Sequence, residues 1–182
     1  MHLCATSLSF SCVHLKRDTT MTHLFRPPRP RDVTQIQNLA VAAGMFQPDG
    51  VGFFDDLLQG FFSGSLVDNY WHVASDPHDT IIAASYVAPE PFADRIWNLY
   101  FICVSPTHQR RGIGESLLKA NKDMLRGLGS ATARILIVDT SSTDAYAGAR
   151  AFYQRPGFDE EARIRDFYGP ADDKVTFWKS LV

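Results

Sequence analysis

Cysteine is scarce in this 182-residue chain: Cys4, Cys12 and Cys103 form no metal-ligand spacing and leave an odd one over. A disulfide framework is therefore not expected. Cys103, in an apolar stretch, reads as a buried structural thiol, and a reducing cytoplasm is the natural setting. Charge of one sign is also lacking, with 18 Lys and Arg against 20 Asp and Glu. That balance argues against a dedicated nucleic-acid binder, which carries a basic excess on its domain. No apolar run approaches the 18 or more residues of a membrane-spanning helix. What is present is ordinary globular material: 45% hydrophobic and 12% aromatic residues, enough for one core in one domain.

The small net charge hides an asymmetry. Residues 1–31 carry Lys16, Arg17, Arg26, Arg29 and Arg31 against Asp18 alone, a net of +4, so the rest carries −6. An acidic body attracts cationic partners such as amines, although surface acid also serves solubility alone. Residues 1–21 show no periodicity and are rich in Ser, Thr and Cys; they make a poor secretory signal and are not Arg-rich like a transit peptide. They are expected to be a disordered extension, with Met21 an alternative start. Residues 22–182 are expected to form a single domain, as a monomer or homodimer.

Periodicity predicts a mixed α/β order. His23 to Arg26 reads as a short strand, and Pro27, Pro28 and Pro30 delay helix until Asp32, a good N-cap for Val33 to Ala43. Phe53, Leu57, Leu58, Phe61 and Phe62 recur at helical spacing in a second helix stopped by Gly64. Tyr70–Ala74 and Thr80–Val87 read as a hairpin through Asp76-Pro77-His78-Asp79, and Arg95–Val104 as a long strand. Helix follows from about Arg111 to Leu128, then a buried strand at Arg134–Val138, a helix over Thr143–Gln154, and closing strands at Phe158–Phe167 and Lys174–Leu181.

The segment richest in chemistry is Val104 to Gly114, between a strand and a helix. Gly112 and Gly114 let backbone approach a ligand, and they open a helix N-terminus whose free N–H groups favour an anion. Arg110 and Arg111 add charge. The arrangement suits a pyrophosphate, yet Gly112-Ile113-Gly114 runs on to Leu117, so GxGxxG is absent, as is the GKS/GKT ending of a Walker loop. The bland alternative is a glycine turn that merely starts a helix.

Here the sequence resembles the GNAT N-acetyltransferase family. Gln109-Arg110-Arg111-Gly112-Ile113-Gly114 matches its acetyl-CoA signature Q/R-x-x-G-x-G/A in full. About forty residues on, Ala149-Arg150-Ala151-Phe152-Tyr153-Gln154-Arg155-Pro156-Gly157-Phe158 looks like the family's A-x-x-F/L-Y-x-x-x-G-F motif. The resemblance implies a mostly antiparallel mixed sheet of about seven strands, splayed between the fourth and fifth, with about four flanking helices. Acetyl-CoA would wedge into that splay as cosubstrate, with no metal. It implies that the backbone of Ile102, Cys103 and Val104 holds the pantetheine arm and that Gln109 to Gly114 hold the pyrophosphate. Ser116 could add a hydroxyl contact, and Tyr146 and Phe152 lie on the helix flanking the thioester. Many relatives have Asn where this chain has Tyr146, which departs from the pattern.

Tyr153 matches the tyrosine that serves many relatives as general acid; packing under the helix is its bland alternative. The base is open. Asn98 occupies a fourth-strand position where some relatives carry glutamate, and it cannot accept a proton. Tyr100, on the same strand face, could relay one through water. Asp139 is the best-placed carboxylate, with capping of the next helix as its alternative, and a dispersed water chain is a third option. For the acceptor, Phe46, Phe53, Phe54 and Phe61 offer apolar walls, while Asp55, Asp56, Asp166 and Tyr168 could receive a cationic amine. His72, His78 and His108 show no ligand spacing. The expected function is acetyl transfer to the amine of a small molecule or peptide, without nucleic-acid or membrane partners. A noncatalytic acyl-CoA-binding sensor on the same fold is the competing reading, and transfer of a longer acyl group depends on pocket depth.

Overall fold

The computed structural model describes residues 25–182. The expectations for residues 1–21, and for His23 and Leu24 of the entry strand, lie outside the described residues. Four helices flank one sheet: α1 (Val33–Ala42), α2 (Phe53–Ser63), α3 (Ile113–Gly127) and α4 (Ala147–Gln154). The strands are β1 (Tyr70–Ser75), β2 (Ile81–Pro89), β3 (Ile96–Val104), β4 (Ile135–Ser141), β5 (Asp159–Gly169) and β6 (Asp172–Ser180). They lie in the order β1-β2-β3-β4-β6-β5. Every pairing is antiparallel except β3 with β4, the pair that α3 joins by a crossover.

Among the described residues there are six strands, against an expectation of about seven that counted the entry segment. The described part of the entry segment contributes one isolated bridge, Arg26 with Val73. Pro27 and Pro28 follow at once, and without an N–H they cannot extend a ladder. The splay expected between a fourth and a fifth strand therefore falls between β3 and β4. Asp32, expected as an N-cap, makes no cap hydrogen bond to α1. It is fully buried, and its Oδ2 accepts from the Arg26 guanidinium at 2.6 Å and the Arg29 N–H at 2.7 Å. It fastens the entry segment to the fold. The hairpin turn forms as read: Asp76 Oδ1 accepts the N–H groups of His78 and Thr80, each at 2.9 Å.

The splay has a local cause. β3 and β4 share three rungs, from Ile96–Ile135 to Asn98–Ile137. Beyond them β3 stays with β2 and β4 with β6, so one sheet becomes two diverging halves. Along β2, Val87 pairs with Leu99 and Tyr86 with Phe101, which leaves Tyr100 as the extra residue of a β-bulge. A bulge bends its strand and steepens the twist. It also reverses the faces of β3. Trp97 and Leu99 pack with Leu118 and Leu125 of α3, whereas Phe101 and Cys103 pack with Phe54 and Leu58 of α2. Alternation alone would keep all four on one side.

Candidate active site

A cleft of about 1680 Å³ occupies the splay, bounded by β3, β4, the starts of α3 and α4, and the residues after α1. A pocket for one small ligand holds roughly 300–1,000 Å³, so this one has room for a long cosubstrate and a second molecule. Its β3 wall runs from Leu99 to Val104 and includes Ile102, Cys103 and Val104. Because β4 has turned away, the β3 edge offers unpaired backbone groups to whatever enters. Cys103 itself points into the core, and burial pushes its thiol pKa well up.

At the end of β3 the chain turns through Pro106–His108 and enters α3. Gln109 Nε2 donates to the Val104 carbonyl at 3.1 Å, closing the strand end. Arg110 and Gly112 both take left-handed φ, +59° and +78°, a sequence that turns successive N–H groups into one concavity suited to an anion. A Cβ on Gly112 would touch nothing within 4 Å, so its need for glycine is conformational. Gly114 differs: its backbone is not left-handed, and a Cβ there would meet the Phe152 ring at 3.4 Å, an ordinary contact. The backbone positions 109, 110 and 112–114 line the cleft, while the Ile113 side chain is 2% exposed and packs in the core. Arg111 and Ser116 are not among the lining residues. Arg111 folds back to donate to the Thr107 carbonyl at 2.9 Å. Arg155 lines the cleft and faces Glu115 at 3.8 Å, a cation that the motif left as an unspecified position.

Tyr146, Phe152 and Tyr153 line the α4 side. Tyr153 is 6% exposed, with Phe177 at 5.6 Å and Phe158 at 6.1 Å, ring centroid to ring centroid. Burial alone raises its phenol pKa, so the ring is held protonated. The same side chain thus packs in the core and borders the cleft.

The opposite wall carries Tyr100, Asp139, Tyr168 and Asp172. Tyr100 donates to Glu90 Oε2 at 3.0 Å, and Asn98 Nδ2 reaches the same oxygen at 3.0 Å. Tyr100 has a raised pKa because of burial, the Glu90 hydrogen bond, and the charges of Glu90, Tyr86 and Asp139. Both oxygens of Asp139 are engaged, by Thr176 Oγ1 at 2.5 Å and Lys174 Nζ at 3.2 Å. Asp139 is thereby tied to β6 by one ion pair and one hydrogen bond. Burial, then Asp139 and Asp172, raise the Tyr168 phenol.

Several expected wall residues lie elsewhere. Phe54 is fully buried core, Asp55 accepts from Gln37 at 2.8 Å, and neither Asp55 nor Asp56 borders the cleft. Asp166 accepts the Ala171 N–H at 2.7 Å within the β5–β6 turn. Of the four phenylalanines only Phe46 reaches the cleft, backed by Phe53 at 5.1 Å. His72 is packed against Asn121 at 3.0 Å, with burial lowering its pKa. Among the described residues no three His, Cys, Asp or Glu side chains gather as a metal site. No helix among them is long and apolar enough to cross a membrane.

Comparison with known proteins gives this geometry a family. Solved structures share the fold. A GNAT-family acetyltransferase from Desulfovibrio desulfuricans aligns with TM-score 0.80 and 27% identity, over 87% of this chain and 99% of its own. The Salmonella typhimurium protein yncA, solved with its cofactor acetyl-CoA, gives 0.71 at 17% identity, over 88% and 94%. A spermidine N-acetyltransferase chimera from Vibrio cholerae and hSSAT gives 0.71 at 17%, over 88% and 96%. No curated protein matches. The acetyltransferase (GNAT) domain pattern matches residues 67–160, just over half the chain, from the approach to β1 through α4 to the start of β5. The chain therefore belongs to the GNAT family of acetyltransferases.

Proposed function

We propose that this protein transfers the acetyl group of acetyl-CoA to the primary amine of a small molecule or peptide, within one catalytic domain over residues 22–182. The observation that carries the reading is the three-rung splay, with the glycine turn at one mouth and the Tyr153 phenol on its inner wall. The residues present fit the cosubstrate. The left-handed Gly112 sets a concave N–H turn that a Cβ would strain, Arg110 and Arg155 supply positive charge beside it, and the free β3 edge at Ile102–Val104 suits an amide-bearing arm. Acetyl-CoA supplies an activated thioester.

In the transfer, the amine nitrogen bonds to the thioester carbon, the C–S bond breaks, and the sulfur takes a proton. Tyr153 is the donor: burial keeps it a phenol at neutral pH, and as its O–H proton bonds to the sulfur the oxygen takes a replacement proton from water entering the cleft. The acceptor enters from the side of Phe46, Tyr100 and Tyr168. Asp139, neutralised by Lys174, serves there as a polar wall rather than as the base. The solved relatives include enzymes named for aminoglycoside, spermidine and ribosomal-protein alanine acetylation, which spans small and peptide amines. A reduced Cys103 accords with a cytoplasmic setting.

The test is release of free thiol from acetyl-CoA with a panel of amines, with products identified by mass spectrometry. Tyr153→Phe should lower kcat roughly 100-fold, the scale of general acid catalysis. The rise in melting temperature on adding CoA should persist. Stabilisation by CoA without turnover of any amine would instead assign the fold to a sensor.

A further inference from the structure

The loop after β2 delivers a carboxylate to the cleft wall. Glu90 follows Pro89 at the end of β2, and its N–H donates to the Ile96 carbonyl at 2.8 Å, which fixes it opposite β3. One oxygen, Oε2, receives both the Tyr100 hydroxyl and the Asn98 amide, each at 3.0 Å. Asn98 is 4% exposed and sits on the last rung that β3 shares with β4. Its Oδ1 is buried without a partner, so the amide satisfies Glu90 at its own expense. Tyr100 is the bulge residue; it is 48% exposed and lines the cleft where the sheet opens.

Building on the transferase reading above, we propose that Glu90 is the terminal proton acceptor of the reaction, reached through the Tyr100 phenol and held by Asn98. The balance closes without an ionised tyrosine. The N–H bond of the attacking amine breaks as its proton bonds to Tyr100 Oη. The Tyr100 O–H bond breaks as that proton bonds to Glu90 Oε2. Tyr100 is neutral before and after, and Glu90 ends as the carboxylic acid. Glu90 is partly exposed, so the proton passes on to water.

The surrounding charges favour this route. Tyr100 faces Glu90, Tyr86 and Asp139, all of which disfavour a phenolate, and Lys174 is already paired with Asp139. Tyr100 therefore cannot store the negative charge of a base, but it can pass a proton. Asn98 has no ionisable group, and Asp139 has both oxygens engaged. Asp172, the other carboxylate of this wall, accepts from Ser141 Oγ at 2.5 Å, and Glu90 is the carboxylate bonded to the Tyr100 hydroxyl. Tyr100, on the cleft wall, would touch the acceptor, and Glu90 would act through it as a positioning residue and proton sink.

The experiment compares wild type, Glu90→Gln, Tyr100→Phe and the double variant, using an amine that the wild type acetylates. Each single variant should lower kcat roughly 100-fold. KM for acetyl-CoA and the melting temperature should stay near wild type, since both replacements keep the shape of the side chain. The double variant should be no more than about threefold below the weaker single, because residues that act as a unit do not add. Retention of kcat by Glu90→Gln within about threefold of wild type, or multiplication of the two losses, overturns the relay alone. Absence of wild-type turnover with every amine overturns the transferase reading itself, and the relay with it.

Discussion

Replacing Gly112 with alanine should destabilise the protein, while the same change at Gly114, two residues on, should not. Gly112 has φ +78° and nothing within 4 Å of its would-be Cβ, so the whole cost is conformational. A non-glycine residue in the left-handed region costs about 1–2 kcal/mol. For a domain of this size each kcal/mol moves the melting temperature by roughly 2–4 °C, so Gly112→Ala should melt roughly 2–8 °C below wild type. At Gly114 the new Cβ would lie 3.4 Å from Phe152 Cε2 and 3.6 Å from Val104 Cγ2, ordinary contact distances, with no left-handed backbone. Alanine there also gains helix propensity, up to about 1 kcal/mol, so its melting temperature should equal or exceed wild type. Scanning calorimetry with and without CoA reads both effects. CoA should raise the melting temperature of Gly114→Ala as much as that of wild type, and raise that of Gly112→Ala less. Equal melting of Gly112→Ala and wild type would refute the left-handed turn, and an equal loss at Gly114 would refute its ordinary contact with Phe152.

Two further outcomes test the packing. Asp32 is held below the usual carboxylate range: burial pushes its pKa up, but hydrogen bonds from Arg26 and Arg29 and the charges of Arg26 and Arg31 outweigh it. That stabilisation is present above the unfolded pKa of about 3.9 and lost as pH falls through the lower folded value. Asp32→Asn should cost about 3 kcal/mol, the lower end for breaking a buried pair, because Asp79 remains 3.8 Å from Arg26. In thermal melts the gap from wild type should hold from pH 8 to about 5 and narrow in stronger acid; a gap independent of pH would show that the charge is not the source. Burial raises the Cys103 thiol, so iodoacetamide at pH 8 should leave it unmodified in native protein and label it after denaturation, read by peptide mass spectrometry. Native labelling at the rate of a free thiol would contradict its burial.

Much of the fold was legible from local signals. Gly64 ends α2 in the left-handed conformation, the Asp76 turn closes the β1–β2 hairpin, and the near-continuous apolar run at Ile135–Val138 is a strand covered on its α3 side. The two glycine-bearing motifs located the turn before α3 and the tyrosine of α4. Of the entry strand, His23 and Leu24 lie outside the described residues, and Arg26 pairs with Val73 in a single antiparallel bridge before Pro27 and Pro28 remove the donors a ladder needs. The acidic candidates were misplaced. Asp55 and Asp166 look free in the sequence, but one accepts from Gln37 of the neighbouring helix and the other closes its own turn.

What the sequence determined by itself is the anion-suited turn and the resemblance to a family: spaced glycines at a helix start and an aromatic helix motif require particular local backbone, and local backbone is readable over a few residues. Only the tertiary structure decided how the polar groups of the cleft wall are arranged. The Tyr100 bulge exists because β2 and β3 pair out of step by one residue, a relation between strands. Asp139 is tied up by a strand more than thirty residues away. Glu90, in an unremarkable proline-flanked loop, reaches Tyr100 because the β2–β3 connection folds it back. Such contacts are set by packing across the sheet, where separation along the chain carries no information.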